Sequence, residues 1–342
     1  MRETQEDDYE DYVPRVRADR RGSRPRTKDR PAHSDAAVGF VVGVDRGRYR
    51  VVIEPLSPES APVTCTRARE LRRESIVVGD RVDCVGDTSG DEGTLARIVR
   101  IHPRTTVLRR SGDDTDTLER IIVANADQLL MVVATISPEP RLRLIDRYVV
   151  AALEAGLTPV MCVTKTDLHP ATELREYAEA LDVHIVERSV DEPALSELHA
   201  LLTGHTTVLV GHSGVGKSTL VNDLAPGSNR AVGHVNEVTG RGRHTSSSSV
   251  ALALEDGGWI IDTPGVRSFG LGHISADSLL AGFPDLSELT TSCPKACSHE
   301  AGSGECALEQ ALASGSFDTH LTARAQSLQR LMAALHHSTA HD

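Results

Sequence analysis

Large hydrophobic positions are almost absent from the first 36 residues, which are rich in Arg, Asp, Glu and Pro. Such a stretch cannot bury enough apolar surface to offset its ordering entropy, so a disordered charged tail is expected over 1–36. From Ala37 the pattern becomes short alternating runs at Val38–Val44, Arg48–Ile53, Val63–Arg67, Val77–Val85 and Leu95–Ile101. Turn residues separate them, among them Asp45-Arg46-Gly47, Gly79-Asp80 and the stretch from Gly86 to Gly93. Five short strands with Gly-rich turns predict a small all-β barrel over 37–112. An OB-like barrel has this size and commonly binds oligonucleotides. An SH3-like barrel is its structural rival, and strand spacing alone does not separate them.

Beyond Ile121 the texture changes. Strands are expected at Gln128–Thr135, Pro159–Val163, His184–Glu187, Thr207–Val210, Val250–Leu254 and Trp259–Ile261. Helices are expected at Leu142–Ala155, Thr172–Leu181, Pro193–Leu202 and Lys217–Leu224. Strands alternating with helices imply a mainly parallel α/β sheet covered on both faces, assigned to 113–273. The remainder, 274–342, reads as helical and cysteine-bearing with no further strand, and is expected to be a separate small module.

Composition narrows the class. The chain has 342 residues, 39% hydrophobic and 25% charged, an ordinary globular profile with room for two or three units. The longest apolar run, Ile121 to Ile136, is interrupted by Asn125, Asp127 and Gln128, so no bilayer crossing is expected. No secretory signal is expected at the polar, acidic N-terminus. A cytoplasmic monomer with no membrane partner is the expectation. The net charge of −12 argues against indiscriminate coating of nucleic acid. Local basic clusters lie at Tyr12–Arg30, Arg67–Arg73 and Arg97–Arg110, and together they point to a polyanion-facing patch on the N-terminal side.

Gly211-His212-Ser213-Gly214-Val215-Gly216-Lys217-Ser218, followed by Thr219, matches the P-loop pattern between an expected strand and an expected helix. Its glycines let backbone N–H groups wrap phosphate oxygens, and the helix N-terminus adds its positive dipole end. Lys217 is expected to reach the β- and γ-phosphates, and Ser218 to ligate Mg²⁺. Asp262-Thr263-Pro264-Gly265 has the D-x-x-G form of a nucleotide switch, with Asp262 holding Mg²⁺ through water and the Gly265 N–H on the γ-phosphate. Thr164-Lys165-Thr166-Asp167 is similar to the N-K-x-D guanine motif. Asp167 would accept from guanine N1 and N2, and the wrong base would leave that carboxylate unpaired. Thr164 stands where Asn is usual, so weaker affinity with guanine choice retained is expected. Ser189 is a secondary candidate for base contact. The base-reading element precedes the phosphate loop, the reverse of the ordinary order, so the GTPase domain is circularly permuted.

Cys293, Cys297, His299 and Cys306 supply three thiolates and one imidazole, a closed tetrahedral set for one structural Zn²⁺ with no open catalytic position.

With these motifs in place, the chain resembles the ribosome small-subunit-dependent GTPase A family over about residues 37–335. The carriers are Asn125-Ala126-Asp127-Gln128, the permuted motifs, Gly242-Arg243-His244-Thr245, Asp262-Thr263-Pro264-Gly265-Val266-Arg267 and the Cys/His cluster. The resemblance implies an α/β P-loop GTPase domain, circularly permuted, with an N-terminal OB-like barrel and a C-terminal α-helical zinc module. It also implies hydrolysis of GTP to GDP and phosphate, rRNA binding, and a part in late maturation of the small ribosomal subunit, which would stimulate turnover. The Gly/Ser-rich stretch between Ala225 and Val250 is then the first switch, with Thr245 (or Ser246) as the Mg²⁺ ligand. Val266 fills the slot where many GTPases place a water-orienting Gln. His244 is the candidate catalytic replacement beside Lys217, ahead of His212. The competing reading is a non-catalytic RNA-binding scaffold with structural nucleotide. An ATP-using kinase is the third, and Asp167 argues against it.

Overall fold

A computed structural model describes residues 33–56, 60–71, 74–111, 119–226, 249–263 and 275–339. Of the charged tail expected over 1–36, residues 1–32 lie outside the described residues.

Strands β1 (Ala37–Asp45), β2 (Arg48–Ile53), β3 (Val63–Arg67), β4 (Arg81–Gly86) and β5 (Ala96–Ile101) run in the order β1-β2-β3-β5-β4, and β4 returns to pair with β1. The sheet therefore closes on itself. β3 and β5 are parallel while the other barrel pairs are antiparallel, which gives the Greek-key closure of an OB-fold and decides against the SH3-like rival. Alternate residues Val41, Val51, Val63, Cys65, Val82, Cys84 and Ile98 point inward and fill the barrel.

Strand β4 starts at Arg81 rather than at the expected Val77, because Asp80 organises a turn there. The Asp80 carboxylate is fully buried, accepts from the Val77 N–H at 2.8 Å and takes a bidentate pair from Arg104 at 2.7 and 2.8 Å. Arg100 pairs with Asp83 at 3.1 Å. Two of the five arginines in the Arg97–Arg110 cluster are thus committed to barrel carboxylates, and the polyanion-facing patch is smaller than the sequence suggests.

The sequence pattern did not anticipate a hairpin, β6 (Val107–Ser111) with β7 (Glu119–Ala124). The expected division at 112/113 falls between its two strands. β7 leads into Asn125-Ala126-Asp127-Gln128, which joins the barrel to the second sheet. Asn125, in the left-handed region at φ 54°, donates from Nδ2 to the Gly79 carbonyl at 2.9 Å and accepts from the Thr105 N–H at 2.8 Å. Asp127 accepts from the Thr206 N–H at 2.7 Å. Gly79 sits at φ +94°, and a Cβ there would lie 1.9 Å from the Ala124 carbonyl oxygen, so this close crossing requires glycine.

The second sheet has the order β10-β9-β8-β11-β13-β12, from β8 (Gln128–Ala134), β9 (Thr158–Thr164), β10 (His184–Glu187), β11 (Thr206–Gly211), β12 (Val250–Ala253) and β13 (Trp259–Asp262). All pairs are parallel except β12–β13. β12 also meets β1 at Val250–Gly43, so barrel and sheet form one continuous strand array. Every residue of β8 is buried, as a central parallel strand requires. Its side chains alternate between two cores. Leu129, Met131 and Val133 face α1 (Leu142–Glu154) and α2 (Thr172–Glu179), and Leu130, Val132 and Ala134 face α3 (Leu195–Leu202) and α4 (Lys217–Leu224).

The C-terminal stretch is helical as expected, with α5 (Ala276–Ala281), α6 (Pro284–Thr290), α7 (Ala307–Ser314) and α8 (Thr319–Thr339). It is not packed separately. Phe283, Leu286, Leu308, Leu328 and Leu331 belong to the same apolar core as Tyr148 and Val149 of α1, and residues 35–342 form one compact unit. Arg324 of α8 is 3% exposed, lies over the Phe283 ring and pairs with Asp182 and Asp285. Among the described residues no helix is long and apolar enough to cross a membrane.

Candidate functional site

Parallel strands place their C-terminal ends on one edge of the sheet, where ligands of open α/β folds bind. The ladder pairs Ala134 with Thr164, Val132 with Gly211, and Leu209 with Asp262. The ends of β9, β11 and β13 therefore place Thr164, Gly211 and Asp262, the first residues of the three motifs, on the same edge despite their permuted order along the chain.

The phosphate loop follows β11. A Cβ on Gly211 would lie 2.6 Å from the Val132 carbonyl oxygen, and Gly214 and Gly216 sit at φ +85° and +93°. Glycine at these positions permits the tight wrap that aims N–H groups inward and starts α4 at Lys217. Lys217 Nζ forms an ion pair with Asp262 Oδ1, bringing together the cation expected at the phosphates and the carboxylate expected at Mg²⁺. Ser218 and Thr219 are exposed on the first turn of α4. His212 bonds locally from its ring to the Ser213 carbonyl at 2.9 Å. Beyond Asp262, the buried Thr263 hydroxyl donates to the Leu209 carbonyl at 2.8 Å and anchors the start of D-T-P-G against β11.

The loop Thr164-Lys165-Thr166-Asp167, expected to read the base, starts at the end of β9. Buried Thr164 donates its hydroxyl to the Val215 carbonyl at 2.7 Å, so it links this loop to the phosphate loop. Lys165 is in the left-handed region at φ 61°, and its ammonium donates to the Gly214 carbonyl at 3.0 Å and to the Ser137 carbonyl. The Thr135 hydroxyl donates to the Lys165 carbonyl at 2.8 Å. These bonds leave the Asp167 carboxylate exposed beyond the loop, beside Thr166. Ser189 lies just after β10, its hydroxyl accepting from the Glu192 N–H at 2.8 Å.

The structure thus brings together residues 164–167, 189, 211–219 and 262. His244, Thr245, Ser246, Gly265 and Val266 lie outside the described residues. The sequence reading missed Thr135 and Ser137, which carry the base-reading loop, and Arg188, whose side chain meets Asp223 of α4 at 2.7 Å. A Thr closing the apolar strand β8 and an Arg directly before Ser189 were the available signals.

The second cluster is at the C-terminal module. The ligand atoms of Cys293, Cys297, His299 and Cys306 all lie within 4.8 Å of one another. Left-handed turns at Ala296 (φ 62°) and His299 (φ 55°) fold that loop back on itself. Thiolates on a tetrahedral zinc with bonds of about 2.3 Å sit about 3.8 Å apart. Cys293 and Cys306 are 3.9 Å apart, and Cys306 is 3.7 Å from His299 Nδ1. The donor set and its spacing are compatible with zinc. Burial lowers the His299 pKa, which favours the neutral imidazole that binds metal. The Ala307 N–H donates to Cys293 Sγ at 3.3 Å, a contact suited to a thiolate.

Comparison with known proteins agrees with this geometry. Residues 101–272 match the model of the RsgA GTPase family. A curated relative from Ectopseudomonas mendocina (strain ymp), named small ribosomal subunit biogenesis GTPase RsgA, is 37% identical over 295 residues, covering 84% of this chain and 82% of its own. The protein of that name from Pseudomonas aeruginosa (strain LESB58) is 39% identical over 253 residues, covering 70% of this chain and 71% of its own. Among solved structures, YjeQ from Thermotoga maritima superposes with a TM-score of 0.62 at 25% identity, covering 87% of this chain and 98% of that one. YloQ, described as a circularly permuted GTPase, gives a TM-score of 0.63 at 23% identity, covering 90% and 98%, and supports the fold.

Proposed function

The chain belongs to the RsgA GTPase family, and on that premise we propose that its GTP hydrolysis times its residence on the maturing small ribosomal subunit. The observation that carries the reading is the convergence of Thr164–Asp167, Gly211–Ser218 and Asp262 on one sheet edge, next to a closed OB barrel in the same strand array. Relatives named for small ribosomal subunit biogenesis supply the partner.

Within this reading Asp167 selects guanine and Lys165 lies over the base, with Ser189 at its edge. Residues Gly211 to Thr219 cradle the phosphates, and Lys217 neutralises charge as the γ-phosphate departs. Ser218, Asp262 and Thr245 would hold Mg²⁺, which neutralises phosphate charge when bound. Gly265 contacts the γ-phosphate, and His244 orients the attacking water in place of the Gln that Val266 displaces. Cys293, Cys297, His299 and Cys306 hold one structural zinc ion that keeps the module folded. The barrel and the basic stretch Tyr12–Arg30 meet rRNA, largely through phosphates and hence with strong salt dependence. The functional division runs 1–36, 37–112, 113–273 and 274–342, in a monomer acting in the cytoplasm.

Sedimentation with purified small subunits tests the partner and the switch together. Co-sedimentation should occur with a non-hydrolysable GTP analogue, weaken with GDP and fall as salt rises. Equal retention with both nucleotides, or equal retention on large subunits, would defeat the reading. For His244 the test is His244→Ala, expected to lower subunit-stimulated kcat with KM retained.

A further inference from the structure

We infer that Arg188 is a positioning residue for the nucleotide, locking the two base-side loops to the phosphate-loop helix through Asp223. The inference rests on the guanine-nucleotide site proposed above. Arg188 stands at a crossing point. Its backbone N–H donates to the Val163 carbonyl at 2.8 Å, at the end of β9, and its carbonyl accepts from the Thr166 N–H at 3.4 Å, inside the base-reading motif. The next residue is Ser189, which opens the turn closed by Glu192. One residue therefore holds both ends of Thr164–Thr166 and sets the position of the Ser189 loop.

Its side chain reaches the other way. The side chain is 9% exposed, and Nη2 meets Asp223 Oδ2 at 2.7 Å. Asp223 lies on α4, six residues beyond Lys217, about 9 Å along the helix axis. The Thr164–Val215 and Lys165–Gly214 bonds tie the base-reading loop to the front of the phosphate loop. The Arg188–Asp223 pair ties the same region to the far end of α4. Base and phosphates bind to different loops, so the spacing between these loops sets how much of each contact a bound nucleotide can make at once.

The energetic layout favours a specific role over general surface charge. Nη1 of Arg188 is buried and has no hydrogen-bond partner among the described residues, so the cation has already lost much of its hydration and depends on Asp223 for compensation. A buried charge held by one partner makes a stiff tether, because removing Asp223 leaves the guanidinium buried and uncompensated, while Asp223 itself, 34% exposed, stays partly solvated.

The test is a double-mutant cycle with Arg188→Met, Asp223→Ala and their combination, in the full-length protein. The readouts are release of a fluorescent GDP derivative and KM and kcat for GTP with small ribosomal subunits. Each single variant should release GDP about tenfold faster and raise KM with little change in kcat, and the double variant should be no worse than either single one. Arg188→Lys, which keeps the charge but loses the planar fork, should fall between wild type and Arg188→Met. Circular dichroism melting identifies any variant that fails to fold, and Arg188→Lys then carries the comparison with wild type. Wild-type release rates in the folded single variants, or additive effects in the double, would overturn the inference. Failure of the wild-type protein to bind the GDP derivative would instead sink the nucleotide reading itself.

Discussion

The nucleotide edge and the cysteine centre both gather polar groups for a charged ligand, yet they are held in opposite ways. At the edge, each loop hangs on another through bonds the protein makes for itself: Thr164 to Val215, Lys165 to Gly214, Thr263 to Leu209. Behind them stand seven-residue strands β8 and β9 and two apolar cores. At the cysteine centre the four ligand atoms face one another, and the adjoining helices α5, α6 and α7 have only six, seven and eight residues. Helices that short do not persist without tertiary support. The nucleotide edge is thus set by bonds the protein makes for itself, whereas the cysteine centre, although Phe283, Leu286 and Leu308 anchor its helices in the main core, is proposed to take the geometry of its loop from a bound zinc ion.

Removing metal should therefore give the largest effect. Structural zinc contributes about 10 kcal/mol or more in small zinc domains. Chelation should abolish amide protection across Cys293–Cys306 while guanine-nucleotide affinity is retained, and protein purified without chelator should carry one zinc per chain. Unchanged protection after complete metal removal would erase the contrast. Next comes Arg324→Met, which strips the partner from Asp182 and Asp285 where α8 meets the rest of the unit. A loss of about 3 kcal/mol in denaturant unfolding is expected. A negligible loss would mean that apolar packing alone docks the helix.

At the nucleotide edge the expected effects are smaller and fall on function. Lys217→Ala should slow hydrolysis about 100-fold, equivalent to about 2.7 kcal/mol on the barrier, with the fold intact by circular dichroism. Thr164→Val keeps the shape and removes the hydroxyl, so nucleotide affinity should fall about fivefold, about 1 kcal/mol, whereas Thr164→Ser should bind like wild type. Equal affinity of the Val and Ser variants would show that the hydroxyl does not brace the loop.

Much of this was legible in the sequence, for a physical reason. The phosphate loop, D-T-P-G and the Cys/His set are local patterns in which spacing alone dictates chemistry. The strands of the second sheet were readable because β8 and β11 are continuous apolar runs bounded by polar residues. What escaped depends on distant partners. Asp80 and Arg104 read as a turn acid and a basic-patch member until the fold joins them across 24 positions. The β6–β7 hairpin was hidden because each of its strands carries two charged residues and β7 runs straight into β8, so Ile121 to Ile136 looked like one apolar run. Thr164 looked like a weakened motif, and only the 2.7 Å bond to Val215 shows a hydroxyl linking the two loops. Arg188 carried no motif at all, since its partner Asp223 lies 35 positions away on another element.

The central claim is a guanine-specific hydrolase whose turnover depends on the small ribosomal subunit. Multiple-turnover phosphate release, measured with GTP and with ATP, each with and without purified small subunits, tests it most directly. Slow GTP hydrolysis that rises strongly with small subunits, and no comparable ATP hydrolysis, is the predicted result. Equal rates with ATP, or GTP turnover indifferent to the subunit, would contradict it.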